Sequence, residues 1–309
     1  MESTQNLKKR IRSVANISKI TKAMELVAAT KMRKAQEIAL ASRPYAFTAL
    51  DLLANLSLLE TELPQLLKKR SVKKTIFVLV ASDKGLAGAF NSSLFRKFEA
   101  HMERDKEKYK NEQNLFMAVG EKTFQYLSKK FRTIDSSMVL KKFTQVGDYT
   151  ETEQIKPLSD FLLEGYLEKK WDRVVVFSTH FKSALKQEPM IREILPISFE
   201  SIKETVREIV PTTGKFAELI KEQNISFVND KGLKIKDYLI EPSPKIVLES
   251  LAKHLFFMQI YHLILEANAS EHSARRMAMK TASDNAADLS ENLNLEYNKS
   301  RQASITSQI

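Results

Sequence analysis

The stretch SKITKAMELVAATKMRKAQ, residues 18–36, decides the fold. Ile20, Met24, Val27, Ala28, Met32 and Ala35 recur at helical spacing, the mark of a buried stripe. Lys19, Lys22, Lys31, Arg33 and Lys34 spread round most of the remaining circumference. Neither Gly nor Pro interrupts the run. A helix of this kind buries one stripe and shows basic charge nearly everywhere else.

The stripe continues on both sides. It reads Leu7, Ile11, Val14, Ile17, Met24, Ala28, Ala35, Ile38, Tyr45, Ala49, Leu52, Leu56 and Leu59, in steps mostly of three and four. Those steps suit a coiled-coil seam, interrupted at Lys31 and Ser42. Pro44 lies inside it and predicts a kink or bend. One helix over most of residues 1–60 would be roughly 80 Å long, too long for the core of a compact domain.

The other end mirrors this. After Pro244 the chain has neither Gly nor Pro. Ser243 fits an N-cap and Pro244 a first helical residue, opening a helix over 245–309 on the order of 95 Å long. Its first part, IVLESLAKHLFFMQIYHLILEA, is apolar almost all round and so buried on several sides. Its second part thins to Met279, Ala282, Ala286, Leu289 and Leu293, with many alanines that allow a close neighbour. Neither helix can bury its stripe alone. The simplest arrangement pairs them antiparallel, with the middle of the chain at one end of the pair.

That middle, about 72–240, holds all seven glycines. KTIFVLVAS is a continuous apolar run ending at a glycine turn, as a buried parallel strand would be. A helical pattern, a second strand at NLFMAVG, another helix and a third strand at DRVVVFSTHF follow. EPMIREILPIS lies close enough to be a hairpin partner of the third. The alternation predicts an α/β, Rossmann-like sheet domain set within a long antiparallel coiled coil of the terminal helices.

Composition limits the partners. The chain has 309 residues, 43% hydrophobic and 28% charged, with a net charge of +11 and no cysteine. Thiolate metal sites and disulfides are thereby excluded. No apolar run is long enough to span a bilayer, and MESTQNLKKRIRS has no signal-peptide core. Nine bases against two acids in residues 1–34 place most of the excess charge on the first helix. Phosphate binding by charge alone, a plain solvated face and a complementary acidic protein surface are the competing readings. The basic stretch has no aromatic to stack on bases. The apolar stripe implies a partner helix and a long exposed axis, which favours the acidic surface.

Two motifs invite chemistry. SDKGLAGAFN, residues 82–91, follows the first strand where α/β folds bind ligands, but it is neither a dinucleotide fingerprint nor a P-loop. Asp83 beside Gly85 reads either as a catalytic group or as part of a tight turn, with Asn91 or Ser92 capping the next helix. His262 and Glu266 share a helix face and could begin a metal site, without an evident third ligand. The alternative reading is an ordinary half-buried histidine.

Residues 7–36, LKKRIRSVANISKITKAMELVAATKMRKAQ, resemble the N-terminal helix of the gamma subunit of F-type ATP synthases. SDKGLAGAFN is similar to that family's loop after the first strand, with Ala87 where a cysteine is often found. YLIEPSP, SEHSARRMAMKTASDNA and YNKSRQASIT resemble its C-terminal helix, in the right order. The resemblance implies a rotating central stalk, non-catalytic and without a cofactor. It would couple ion flow to ATP synthesis or hydrolysis at the beta subunits. Its partners would be three alpha and three beta subunits, the epsilon subunit and the ring of c subunits. Its place would be the cytoplasmic face of a bacterial plasma membrane, as a peripheral protein. Lys22 and Met24 would lie on the beta-facing belt. Asp83, Gly85 and Gly88 would lie near the lower ends of beta. Arg275, Arg301 and Gln302 would lie where the C-terminal helix grips alpha and beta. Lys22 and its neighbours would attract acidic beta loops without locking one register, since exposed ion pairs are individually weak.

The sequence departs from the family pattern at Arg276, where an apolar residue is usual, and in a longer middle around 205–233. The family pattern also runs past Thr306 into an acidic residue and a short Gly-Ala-rich end. The sequence stops at Ile309, which reads as a truncated record or a shorter shaft. The lack of cysteine disfavours the thiol-switched chloroplast form, and the lack of a transit pattern favours a bacterium. The runners-up are a nucleic-acid-binding protein with a basic coiled-coil arm and a small-molecule enzyme using the 82–91 turn.

Overall fold

A five-stranded sheet holds the centre of the chain, in the order β3-β2-β1-β4-β5. The computed structural model describes residues 3–41, 49, 52, 53, 56, 64–110, 112–131, 139–146, 151–198 and 240–306. The strands are β1 (Lys74–Val80), β2 (Gln113–Val119), β3 (Val139–Phe143), β4 (Arg173–Phe181) and β5 (Gln187–Leu195). The first four run parallel, and β5 folds back antiparallel on β4 as the predicted hairpin partner. Helices α2 (Phe90–Arg104), α3 (Lys106–Lys110), α4 (Glu121–Phe131) and α5 (Thr152–Leu167) make the crossovers.

Side chains alternate across the sheet as a strand requires. Ile76, Val78 and Val80 of β1 and Val174 and Val176 of β4 join the core that also takes in α5 and the last helix. Phe77 and Leu79, with Val175 and Phe177, pack on α2 and α4 from the other face. Both faces are thus covered, which explains the continuous apolar runs of β1, β2 and β4. Where β1 and β2 end, Gly120 holds φ +93°, and a Cβ there would stand 2.0 Å from the Ala81 carbonyl oxygen.

The terminal helices are α1 (Thr4–Ala41) and α6 (Pro244–Thr306). α6 is unbroken over 63 residues, about 95 Å. The Ile246 amide donates to Ser243 Oγ at 3.4 Å, the expected N-cap. The two helices pair antiparallel: Ser18 meets Ser283, while Met24 and Val27 lie near Glu271 and Arg275. The Pro44 bend and the long segment around 205–233 lie outside the described residues. No helix among the described residues is long and apolar enough to cross a membrane.

The seam differs from the expected stripe. On α1 the residues turned inward are Leu7, Ile11, Val14, Ser18, Thr21, Glu25, Ala28, Met32 and Ala35, a strict alternation of four and three. Ile17 and Ile20 are more than half exposed, as are Leu26 and Val27. On α6, Leu289 is exposed and Ser290 takes the inward place between Ala286 and Leu293. A stripe chosen by hydrophobicity slid by one residue, because the true seam is polar in its middle. Thr21 satisfies its hydroxyl on the Ile17 and Ser18 carbonyls, and Lys22 pairs with Glu25 at 3.0 Å.

Candidate functional site

α6 leaves the sheet domain across the carboxyl ends of the strands. Asn268 Nδ2 donates to the Val146 carbonyl beyond β3 (3.1 Å). Ser270 Oγ donates to the Thr179 carbonyl of β4 (3.3 Å). Arg275 Nη2 donates to the Lys84 and Gly85 carbonyls after β1, both at 3.2 Å. Doubly wound sheets take their ligands at this edge. Here the chain's own helix covers part of it.

Above that crossing lies an open cleft of about 960 Å³ at the neck, where coil meets domain. Four of the predicted site residues line it together: Met24 from α1, Asp83 and Gly85 from the loop after β1, and Arg275 from α6. The acids among its lining are engaged. Asp83 accepts the Glu121 amide through Oδ1 (3.0 Å) and the Gln145 amide through Oδ2 (2.8 Å), so both its oxygens hold backbone. It caps α4 from a distance and fastens the turn after β3, which answers the catalytic alternative. Glu271 Oε1 pairs with Arg275 Nη1 at 2.8 Å. Glu121 lies 2.6 Å from Lys142 Nζ, whose hydrogen bond holds the carboxyl below its usual range. Lys31, Lys84, the polar Thr144, Gln154 and His272 and the apolar Met24, Val27 and Leu86 also line it.

The other predicted residues are placed apart. Lys22 is on the outer surface of α1, paired with Glu25. Gly88 holds φ +56°, and a Cβ built on it would stand 3.8 Å from the Ala274 carbonyl oxygen and from Ala278 Cβ, so the loop turns close against α6. Arg301 and Gln302 are exposed at the far end of α6, away from the neck. Asn91 does not cap α2: its Oδ1 accepts from the Ser82 amide (3.1 Å), which pins the loop to β1. Ser92 donates to the Ala89 carbonyl instead.

Leu86 and Glu271 were not singled out from the sequence. Glu271 was legible as the residue four before Arg275 on one helix. Leu86 carried no signal, because its importance lies in a φ of +63° that turns an exposed leucine toward the cleft.

A second cluster lies lower on α6. Glu266 Oε2 is 2.9 Å from His180 Nδ1 of β4 and 3.5 Å from Arg192 Nη1 of β5. Its Oε1 is 3.2 Å from His262 Nε2. All four side chains are buried. The His262–Glu266 pair thus gains a third group, but the Arg192 guanidinium stands where a metal cation would be repelled. Among the described residues no group of three or more candidate ligands is arranged to hold a metal ion.

The ATP synthase family model matches residues 3–309. A protein named ATP synthase gamma chain from Opitutus terrae is 37% identical over 310 residues, covering 100% of this chain and 96% of its own. The protein of that name from Moorella thermoacetica is 36% identical over 310 residues, with the same coverage. Among solved structures, the rotor of the Euglena gracilis mitochondrial ATP synthase matches with a TM-score of 0.58 at 16% identity, covering 98% of each chain. The central stalk and c-ring structure from Tetrahymena thermophila matches with a TM-score of 0.57 at 22% identity, covering 85% of this chain and 99% of that one.

Proposed function

We propose, because this chain belongs to the ATP synthase gamma-chain family, that it works as the rotating central stalk of an F-type ATP synthase. It is a non-catalytic subunit, and its task is mechanical. The observation that carries the reading is the exchange of polar and apolar positions in the middle of the coil. Its seam is polar at Ser18, Thr21 and Glu25, while Ile17, Ile20, Leu26 and Val27 face outward. A coil built for solvent would have these exchanged. Outward apolar residues amid basic ones suit a shaft enclosed by other proteins.

The enclosing partners are then three alpha and three beta subunits around the coil, with epsilon and the c-ring against the sheet domain. The complex would stand on the cytoplasmic face of a bacterial plasma membrane. Residues 1–60 and 245–309 form the shaft and 72–240 the body, with the first half of α6 embedded in that body. The shaft is asymmetric and its sleeve close to threefold, so each beta site meets a different face. Turning the shaft exchanges those contacts, which is rigid-body allostery.

The reading gives each named residue a role. Lys22 and Met24 present charge and bulk to a passing beta subunit. Arg275 holds the 84–85 loop on α6, and with Asp83, Gly85 and Gly88 it shapes the neck. Arg301 and Gln302 serve the upper grip. Neither the nucleic-acid arm nor the small-molecule enzyme gains support from the relatives.

Co-expression with bacterial alpha and beta subunits tests the reading. A single species of three alpha, three beta and one copy of this chain, with ATPase activity that depends on the chain, is the expected result. Failure to assemble, together with salt-sensitive RNA binding, would move the assignment to the nucleic-acid arm.

A further inference from the structure

The Glu266 cluster has no part in the neck cleft, and the outer surface cannot reach it. From Leu248 to Ala267, α6 is packed among apolar residues of the sheet and α5. Such packing is non-directional. It holds the helix in place, while directional contacts come from Asn268, Ser270 and Arg275 farther along α6 and, within this stretch, from the Glu266 cluster. Buried ionic groups are directional, and their best-attested use is to select one register among several apolar alternatives.

The geometry suits that use. Arg192 pairs across the hairpin with Val176, and His180 lies four residues beyond Val176 on β4. Strand alternation turns both toward the face that carries α6. Glu266 meets His180 with one oxygen, near Arg192, and His262 of its own helix with the other. Its carboxylate is thereby oriented from within α6, hydrogen-bonded to His180 of β4 and close to the Arg192 charge of β5. A turn of α6 about its axis would carry the charge off both strands into an apolar wall, a costly move.

We propose that Glu266, held by His180, Arg192 and His262, is a positioning residue that fixes the angular register of α6 on the sheet domain, so that coil and domain turn as one body. The proposal rests on the central-stalk reading. Loss of the cluster would leave hydrolysis in the sleeve running while rotation reaches the ion-carrying sector with slip.

The test uses the complete complex in inverted membrane vesicles, reading ATP hydrolysis and ATP-driven ion uptake on the same sample. Glu266→Gln keeps the size and removes the charge. A second variant, His180→Phe with Arg192→Met, His262→Leu and Glu266→Leu, replaces the whole cluster by apolar groups and leaves no buried charge behind. The expected result is hydrolysis within about twofold of wild type in this apolar variant, with its thermal midpoint at or above wild type. Ions moved per ATP should nevertheless fall severalfold in both variants. A purely structural role would restore coupling once stability is restored. An apolar variant that pumps as many ions per ATP as wild type therefore overturns the proposal. A wild-type chain that gives no pumping complex at all overturns the central-stalk reading instead, and this one with it.

Discussion

Glu266 keeps a charge in a place where burial alone would push its carboxyl up. Hydrogen bonds from His180 and His262 and the nearby Arg192 outweigh that, and hold the group well below the usual carboxylate range. The folded value therefore lies under the unfolded one, about 4.3. Its stabilising contribution is complete above the unfolded value and is lost as pH falls toward the folded one. The stability gap between wild type and Glu266→Gln should be on the order of 3 kcal/mol near pH 7 and narrow below about pH 4. Urea midpoints between pH 3 and pH 8 measure it, and a gap constant across that range would remove the charge from the account. Met24 poses the opposite problem. It stands in the neck cleft beside Lys31, Lys84 and Arg275, half-buried and bearing no charge. Met24→Lys adds a fourth positive charge where a partner is expected to slide. Coupled ATP synthesis in membranes should fall several-fold while the thermal midpoint of the chain moves by only a few degrees. A drop in stability with synthesis unchanged would mark Met24 as a packing residue only.

At the scale of elements, legibility followed the hydrophobic pattern and failed where that pattern was absent. β1, β2, β4 and β5 were readable because parallel strands covered on both faces are apolar without a break, and β5 lies next to β4 in the chain. β3 was not anticipated: it is an edge strand of five residues, VLKKF, with Leu140, Lys141 and Lys142 turned to solvent. α5 was missed as well, and Pro157 sits inside it. The antiparallel pairing of α1 and α6 was right, but its seam was off by one residue at Ile17, Ile20, Met24 and Leu289. No rule based on apolar periodicity places Ser18, Thr21 and Glu25 inward. The neck was partly legible, since Met24, Asp83, Gly85 and Arg275 converge, whereas the contribution of Leu86 depends on a backbone angle. The polar seam makes a prediction of its own. Glu25 is buried, while its partner Lys22 is more than half exposed, so removing the pair strands no buried charge. Glu25→Leu should stabilise the coil by roughly 1 kcal/mol. Thermal unfolding of the purified chain checks this, and a lower midpoint would show that Glu25 is held by more than Lys22.

For the whole molecule, the question is why selection for a stable coil would leave leucine, valine and isoleucine on the outside. A free shaft gains nothing from Ile17, Ile20, Leu26 and Val27, each more than half exposed. Two of them are isoleucines and one a valine, poorer helix formers than Gln. Their presence is explained if the coil spends its life inside a sleeve that removes them from water. The variant carrying Gln at all four positions separates the two accounts. If the sleeve is their reason, the isolated chain should be as stable as wild type or gain up to about 1 kcal/mol from propensity alone. Its share of the complex with alpha and beta subunits, read by sizing at equal input, should drop several-fold because apolar contact is lost on every turn. A stability loss of several kcal/mol would instead place these residues in an intramolecular core. Undiminished assembly would shift the grip on the sleeve to the neck and to the far end of α6 near Arg301 and Gln302.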